Sequence, residues 1–175
     1  MTTRRTGLNA TPLTRGVIFI HSAPAPLCPH IEWAIGGVLG TAQHIDWTTQ
    51  TAQRGTLRAE LSWTGKAGTG AELASRLKAM QRLRFEVTEE AAPGSEGRRY
   101  AYTPTLGIFT ATIGLHGDLV VPEERLRQAM IADSLGERPL SESVPALLGT
   151  DWDAELDIFR HASEEAPVRW LHQVV

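Results

Sequence analysis

The chain has 175 residues, of which 42% are hydrophobic and 21% are charged, and its formal net charge is −3. This composition predicts one compact domain, or two small halves that share a sheet, and it argues against general disorder. The basic residues are scattered and outnumbered by 20 acidic ones, so we expect no nucleic-acid partner. The single cysteine excludes an intrachain disulfide and a zinc site built from several cysteines.

The start of the chain predicts a flexible tail over residues 1–15. Two arginines, Arg4 and Arg5, stand in this stretch, but it lacks the apolar segment of a signal peptide. Apolar runs elsewhere fall well short of the ~20 residues that a membrane helix needs. We therefore expect a cytoplasmic protein with no membrane partner.

The first predicted half covers residues 16–89 and has the order β-α-β-β-α-β. This is the split-βαβ, ferredoxin-like plan, in which two helices cover one face of an antiparallel sheet. Apolar residues recur with period two in its strands and at helical spacing in its helices. The predicted strands are 16–21, 43–48, 56–63 and 83–89, and the helices are 31–39 and 71–82.

The second predicted half covers residues 99–175 and follows a loop, 90–98, that is rich in charge and contains Pro93 and Gly94. Its predicted strands are 99–103, 107–113 and 119–121, and its helices are 122–134, 141–148 and 151–161. The apolar ending, 167–175, is expected to dock, because free termini are usually polar. The overall prediction is an α+β protein whose second half extends the sheet or packs on it as one compact unit.

The turn between the first strand and the first helix is a candidate thiol site. The strand ends at His21-Ser22, and Cys28 and His30 stand at the start of the helix. A helix N-terminus can stabilise a thiolate, and a nearby histidine can act as its base. His21 is the better partner, since His30 diverges in direction from the sulfur. The alternative is a small buried thiol beside a structural histidine.

The same turn offers ligand types for zinc but no established zinc pattern. His21, Cys28, His30 and Glu32 are suitable residue types, yet their spacing matches no known ligand set, and prolines restrict local closure. We therefore expect no metal site and no cofactor. Ser22, Glu32 and Trp33 remain candidates for binding a ligand at this junction.

The loop 65–70 has glycines before a predicted helix, an arrangement that can hold an anion. Its lysine, Lys66, comes too early for a Walker A loop. The amides of Gly68 and Gly70 could still bind an anion at the helix N-terminus, and the alternative is a flexible connection. Trp33 is one of five tryptophans, which either fill the core or line a pocket or partner surface.

Several stretches, taken together, resemble the actinobacterial domain-of-unknown-function family 3145. They are 14–17, 21–24, 27–34, 102–109, 121–126 and 166–175, and they include Leu27-Cys28-Pro29-His30 and Trp170-Leu171-His172-Gln173. The resemblance covers nearly the whole chain from Thr14 onward. It implies an actinobacterial cytosolic protein with no established activity, and it points to an acyl or fatty-acid context. It transfers no catalytic residue.

The sequence favours a non-enzymatic module that binds a protein or a small ligand. Its expected partner is another protein or a second copy, or else a small acyl or anionic ligand. This interpretation depends on the absence of a complete catalytic motif and on the number of tryptophans. The alternative is a thiol-dependent enzyme that uses Cys28 with His21 or His30 on thioesters.

Overall fold

A computed structural model describes residues 12–162 as a mixed α+β structure. The strands are β1 Leu13–Pro24, β2 Thr48–Thr49, β3 Thr56–Lys66, β4 Arg84–Glu89, β5 Gly97–Thr103, β6 Gly107–Ile113 and β7 Leu119–Val120. The helices are α1 Cys28–Leu39, α2 Thr69–Lys78, α3 Glu123–Ser134, α4 Leu140–Leu148 and α5 Thr150–Arg160. A 3-10 turn, Ala25–Leu27, leads from β1 into α1.

One antiparallel sheet joins the seven strands in the order β2-β3-β1-β4-β5-β6-β7. The strands of the first predicted half therefore pair directly with those of the second, through β4 and β5. β1 has one extra residue between Ile20 and Ala23, where its register with β3 and with β4 shifts. Such a bulge changes the direction of neighbouring side chains, and here it lies at His21 and Ser22.

Helices α1 and α2 cover the first face of the sheet, and the main core lies between these helices and the sheet. Side chains two residues apart on a strand share a face, so Ile18 and Ile20 point into this core, as do Phe85 and Val87. Ile31 and Ile35 of α1 and Leu73 and Leu77 of α2 meet them from the helix side. These side chains are at most 2% exposed, so the apolar faces of both helices are buried against the sheet.

Helix α5 covers the second face of the sheet. Leu156 of α5 packs on Ala101 and Phe109, which point away from the first core. The Trp152 indole contacts the Phe109 ring and donates to the carbonyl of Gly107. Polar side chains of β1, β4 and β5 occupy the rest of this face, so α5 encloses charged groups as well as a small apolar cluster.

The structure confirms the predicted α+β class and alters several boundaries. The strand expected at 43–48 is replaced by the two-residue β2, Thr48–Thr49, which overlaps it only at Thr48; the amide of Ile45 donates to Glu32 of α1 and not to a neighbouring strand. The ferredoxin-like description of the first half therefore stays a prediction. β1 begins at Leu13, so the sheet takes in three residues of the tail expected over 1–15. Residues 1–11 of that tail and the apolar ending, 167–175, lie outside the described residues.

Candidate functional site

The most concentrated group of charged side chains surrounds Glu86 under α5. Glu86 is 7% exposed, and its carboxylate accepts a hydrogen bond from His21 at 2.7 Å between Nε2 and Oε2. Nη2 of Arg99 lies 2.6 Å from Oε1 of Glu86, and Nη2 of Arg160 lies 2.7 Å from the same oxygen. A carboxylate from β4 is therefore bound by three basic side chains, one each from β1, β5 and α5.

Asp153 supplies the second carboxylate of this Glu86 cluster. Its Oδ1 lies 2.5 Å from Nη2 of Arg99 and 2.9 Å from Nη2 of Arg160. Two carboxylates thus face two guanidinium groups, and the formal charges of these four side chains cancel. Buried charges are tolerated when they are paired and hydrogen-bonded in this way.

The protonation of the cluster follows from its geometry. Burial by itself would raise the pKa of Glu86, but the hydrogen bond and charge of His21 and the charges of Arg99 and Arg160 outweigh it and hold the pKa far below its usual range. Burial would likewise lower the pKa of both arginines, yet Glu86 and Asp153 raise the pKa of each. Glu86 therefore stays ionised and cannot act as a general acid near neutral pH.

A second polar network borders the Glu86 cluster and further joins α5 to the sheet. Ser22 donates to Oε1 of Gln53 at 2.8 Å, and Arg84 donates to the same oxygen at 3.2 Å. Nε of Arg84 also donates to Glu155 of α5 at 3.1 Å, and Thr103 donates to the other oxygen of that carboxylate at 2.9 Å. Ser22, a sequence candidate for ligand binding, is thus 1% exposed and already hydrogen-bonded within the protein.

The structure does not bring Cys28 and His21 together. Cys28 packs in the core under α1, where its thiol lies 3.9 Å from the carbonyl of Pro24. His21 pairs with Glu86, which alternates with Phe85 and Val87 and so lies on the opposite face of the sheet. His30 is exposed on α1. Burial, followed by the charge of Glu32, raises the pKa of the Cys28 thiol, which is the reverse of activation.

Glu32 and Trp33 are neighbours in sequence with different environments. One carboxylate oxygen of Glu32 accepts from the amide of Ile45 at 3.1 Å and from the indole of Trp47 at 3.0 Å. Glu32 therefore fixes the segment after α1 and is not free for a ligand at that oxygen. Trp33 is 81% exposed, the most open tryptophan of the described residues.

Gly68 and Gly70 do bind an anion, and that anion belongs to the protein itself. Oε1 of Glu89 accepts from the amide of Gly68 at 2.6 Å, and Oε2 accepts from the amide of Gly70 at 2.8 Å. A Cβ on Gly70 would lie 2.7 Å from the carboxylate, so the close approach needs glycine there. The two amides that were predicted to bind an anion are therefore occupied by the buried carboxylate of Glu89, at the end of β4.

Metal and membrane features can be assessed over residues 12–162. This part of the chain has no group of three or more histidine, cysteine or acidic side chains arranged to hold a metal ion. None of its helices combines the length and apolar character that crossing a bilayer requires. The residues at the turn that are of zinc-ligand type make separate contacts. His21 binds Glu86, Glu32 accepts from the amide of Ile45 after α1, and Cys28 lies in the core.

Sequence reasoning missed the Glu86 cluster, although one signal for it was present. The alternation in β4 placed Glu86 on the polar side of the strand, a position that predicts contact with solvent. No sequence spacing connects Glu86 with Arg99, Asp153 or Arg160. In the sequence, the only indication that a helix covers the polar face of the sheet is a charged strand position followed later by an amphipathic helix.

The fold and this site define a mixed α+β protein with a largely buried cluster of ion-paired side chains at its centre. A protein-family model described as "Protein of unknown function (DUF3145)" matches residues 17–173. The chain belongs to this family. No curated protein and no solved structure matches the chain.

Proposed function

We propose that the protein is a non-enzymatic protein-interaction module whose contact surface is centred on Trp33. The observation that carries this proposal is the 81% exposure of an indole on a well-packed helix. Tryptophan is enriched among the residues that contribute most to protein–protein affinity. A Trp33 surface would therefore suit a partner that presents an apolar pocket.

The indole of Trp33 is held outward by the packing of its own helix. Ile31 and Ile35 are buried against the sheet, and residues two positions from them lie on the opposite side of a helix. Pro29 and Gly37, four residues before and after Trp33, are exposed and small. A Cβ built on Gly37 would meet nothing within 4 Å, so the indole has no bulky neighbour on that side. Both features favour insertion of the ring into a partner.

The chemistry of the buried groups supports binding over catalysis. The charges of the Glu86 cluster pair with one another, and the Cys28 thiol has a raised pKa and lies 3.9 Å from the backbone carbonyl of Pro24. Neither group offers a free nucleophile. We also propose that the protein acts in the cytoplasm of an actinobacterium, where the partner is another protein or a second copy.

Site-specific crosslinking tests the proposal. A photoreactive amino acid replaces Trp33 in one variant and Leu135, which directly follows α3 and is 66% exposed, in a matched control. We expect a crosslinked product from position 33 in the native host and none of the same species from position 135. The captured protein, or the chain itself, is then purified and its affinity for the Trp33→Ala and Leu135→Ala variants is measured.

The affinity measurement decides the role of Trp33. Loss of a central tryptophan should weaken binding by about 2 kcal/mol or more, which is roughly thirtyfold, while Leu135→Ala should bind normally. Thermal unfolding of both variants checks that the fold is retained. Equal binding by wild type and Trp33→Ala would refute the proposal, and loss of binding in Leu135→Ala alone would move the contact surface to the turn after α3.

A further inference from the structure

We propose that the cleft between β6, β7 and the start of α3 binds a phosphate group, held by Arg98 and Arg125. The cleft opens to solvent at the protein surface. Its polar wall consists of Arg98, Thr110, Thr112 and Arg125. This site is independent of Trp33 and of the Glu86 cluster, because it shares no residue with either.

The sheet register brings the polar residues that β5 and β6 contribute to the cleft together on one face of the sheet. Arg98 of β5 is the cross-strand partner of Thr112 on β6, and Nη1 of Arg98 donates to the Thr112 hydroxyl at 3.1 Å. Thr110 lies two residues earlier on β6 and so presents its hydroxyl on the same face. β7 pairs only with Thr112 and Ile113, which leaves the cleft beside Thr110 open.

Both arginines of the cleft are available to an anion. Within residues 12–162 neither Arg98 nor Arg125 has a carboxylate at ion-pair distance, whereas Arg84, Arg99 and Arg127 each have one. Two arginines and two threonines line the same cleft, and their side chains are the types of donor that a phosphate group accepts.

The acidic residues beside the cleft are turned toward other partners. Glu123 and Glu124 occupy the first turn of α3, next to Arg125. Glu123 pairs with Arg127, and Glu124 accepts from Gln128 at 2.7 Å. The remaining wall is apolar and includes Val121 and Leu147. A phosphate group could therefore arrive free or with a short organic substituent lying on these side chains.

Nuclear magnetic resonance titration of the full chain tests the site. Sodium phosphate is titrated at an ionic strength matched with sodium chloride, and the amides of Thr110, Thr112 and Arg125 are followed. We expect saturable shifts at these amides with phosphate and none with chloride. Arg98→Gln and Arg125→Gln should each weaken binding roughly tenfold, since each removes a charge-assisted hydrogen bond. The matched control is Arg54→Gln, an exposed arginine in the β2–β3 turn, which should bind as wild type does.

A parallel titration with n-butyl phosphate separates the two sources of the phosphate group. Tighter binding of the ester than of inorganic phosphate assigns an organic phosphate that uses the apolar wall, and equal affinity assigns the free ion. The proposal is overturned if phosphate produces no saturable shift in the cleft of the wild type. It is equally overturned if both arginine variants, shown by thermal unfolding to be folded, bind phosphate as the wild type does.

Discussion

Glu86 and Arg160 form a two-point ion pair across 74 residues of sequence, with 3.1 Å between Nε and Oε2 and 2.7 Å between Nη2 and Oε1. The planar guanidinium of arginine matches a carboxylate in this manner. Since Glu86 lies in the centre of the sheet and Arg160 ends α5, the pair fixes the last described helix on the second face. Gln50 adds to this attachment, because its side-chain amide donates to the carbonyls of His21 and Phe159.

Removal of the central carboxylate should destabilise the protein strongly. In Glu86→Gln the two arginines lose their shared buried charge, and we expect the free energy of unfolding to fall by about 3 kcal/mol. Urea unfolding followed by tryptophan fluorescence measures the change. Glu60→Gln, at an exposed position of β3, is the control and should change stability by less than about 0.5 kcal/mol. Similar values for the two variants would contradict the assigned role of Glu86.

The same carboxylate should make stability depend on acid pH. The pKa of Glu86 in the folded protein lies below the ordinary value of 4.5, so the unfolded chain binds more protons as the pH falls. Its contribution is complete above the ordinary pKa and is lost progressively at lower pH. Urea unfolding between pH 3 and 7 should therefore show a shallower pH dependence in Glu86→Gln than in the wild type. Parallel pH profiles would show that the cluster does not hold this carboxylate ionised.

Glu89 should contribute to stability as the cap of α2. Its carboxylate accepts the amides of Gly68 and Gly70 at the helix N-terminus, where a negative charge is favourable. Glu89→Gln should lower the free energy of unfolding by about 1–2 kcal/mol. Glu72→Gln removes an exposed charge from the first turn of the same helix and serves as the control. A larger loss in the control would show that general helix electrostatics outweigh the direct cap.

Two glycine-to-alanine substitutions should have opposite signs. In Gly70→Ala the new Cβ would lie 2.7 Å from the Glu89 carboxylate, and we expect a loss of about 2 kcal/mol from overpacking. Gly37 lies inside α1 with nothing within 4 Å of a Cβ, so Gly37→Ala should gain about 0.5–1 kcal/mol. Thermal or urea unfolding of both variants gives the sign directly. A stabilised Gly70→Ala would mean that the cap can move without cost.

Cys28 should react slowly with alkylating reagents in the folded protein. Its pKa is raised above the ordinary 9.0 by burial, and less thiolate is therefore present at any given pH. The rate of iodoacetamide modification should rise only at strongly alkaline pH, while the urea-unfolded chain reacts as an ordinary thiol. A folded-state titration midpoint below that of the unfolded chain would revive the thiol-enzyme hypothesis.

The candidate site was predictable in part, and the reason lies in the range of each interaction. Local chemistry indicated that Gly68 and Gly70 could bind an anionic ligand, and in the structure their amides donate to the carboxylate of Glu89. The identity of the anion could not be derived, since Glu89 comes 19 residues after Gly70 and reaches it only through the pairing of β4 in the sheet. The Cys28–His21 hypothesis treated proximity in sequence as proximity in space, whereas the alternation of β1 directs His21, like Phe19, to the opposite face.

By itself the sequence determined the α+β class and the extent of most strands and helices, because hydrophobic periodicity is a local property. β6, for example, was predicted over 107–113 and spans Gly107–Ile113. The tertiary structure alone decided which polar side chains became buried partners. Glu86, Arg99 and Arg160 are ordinary surface residue types in sequence, and they form a cluster only because α5 folds back over the polar face of the sheet. Pairing between distant charges depends on that long-range packing, which no local pattern encodes.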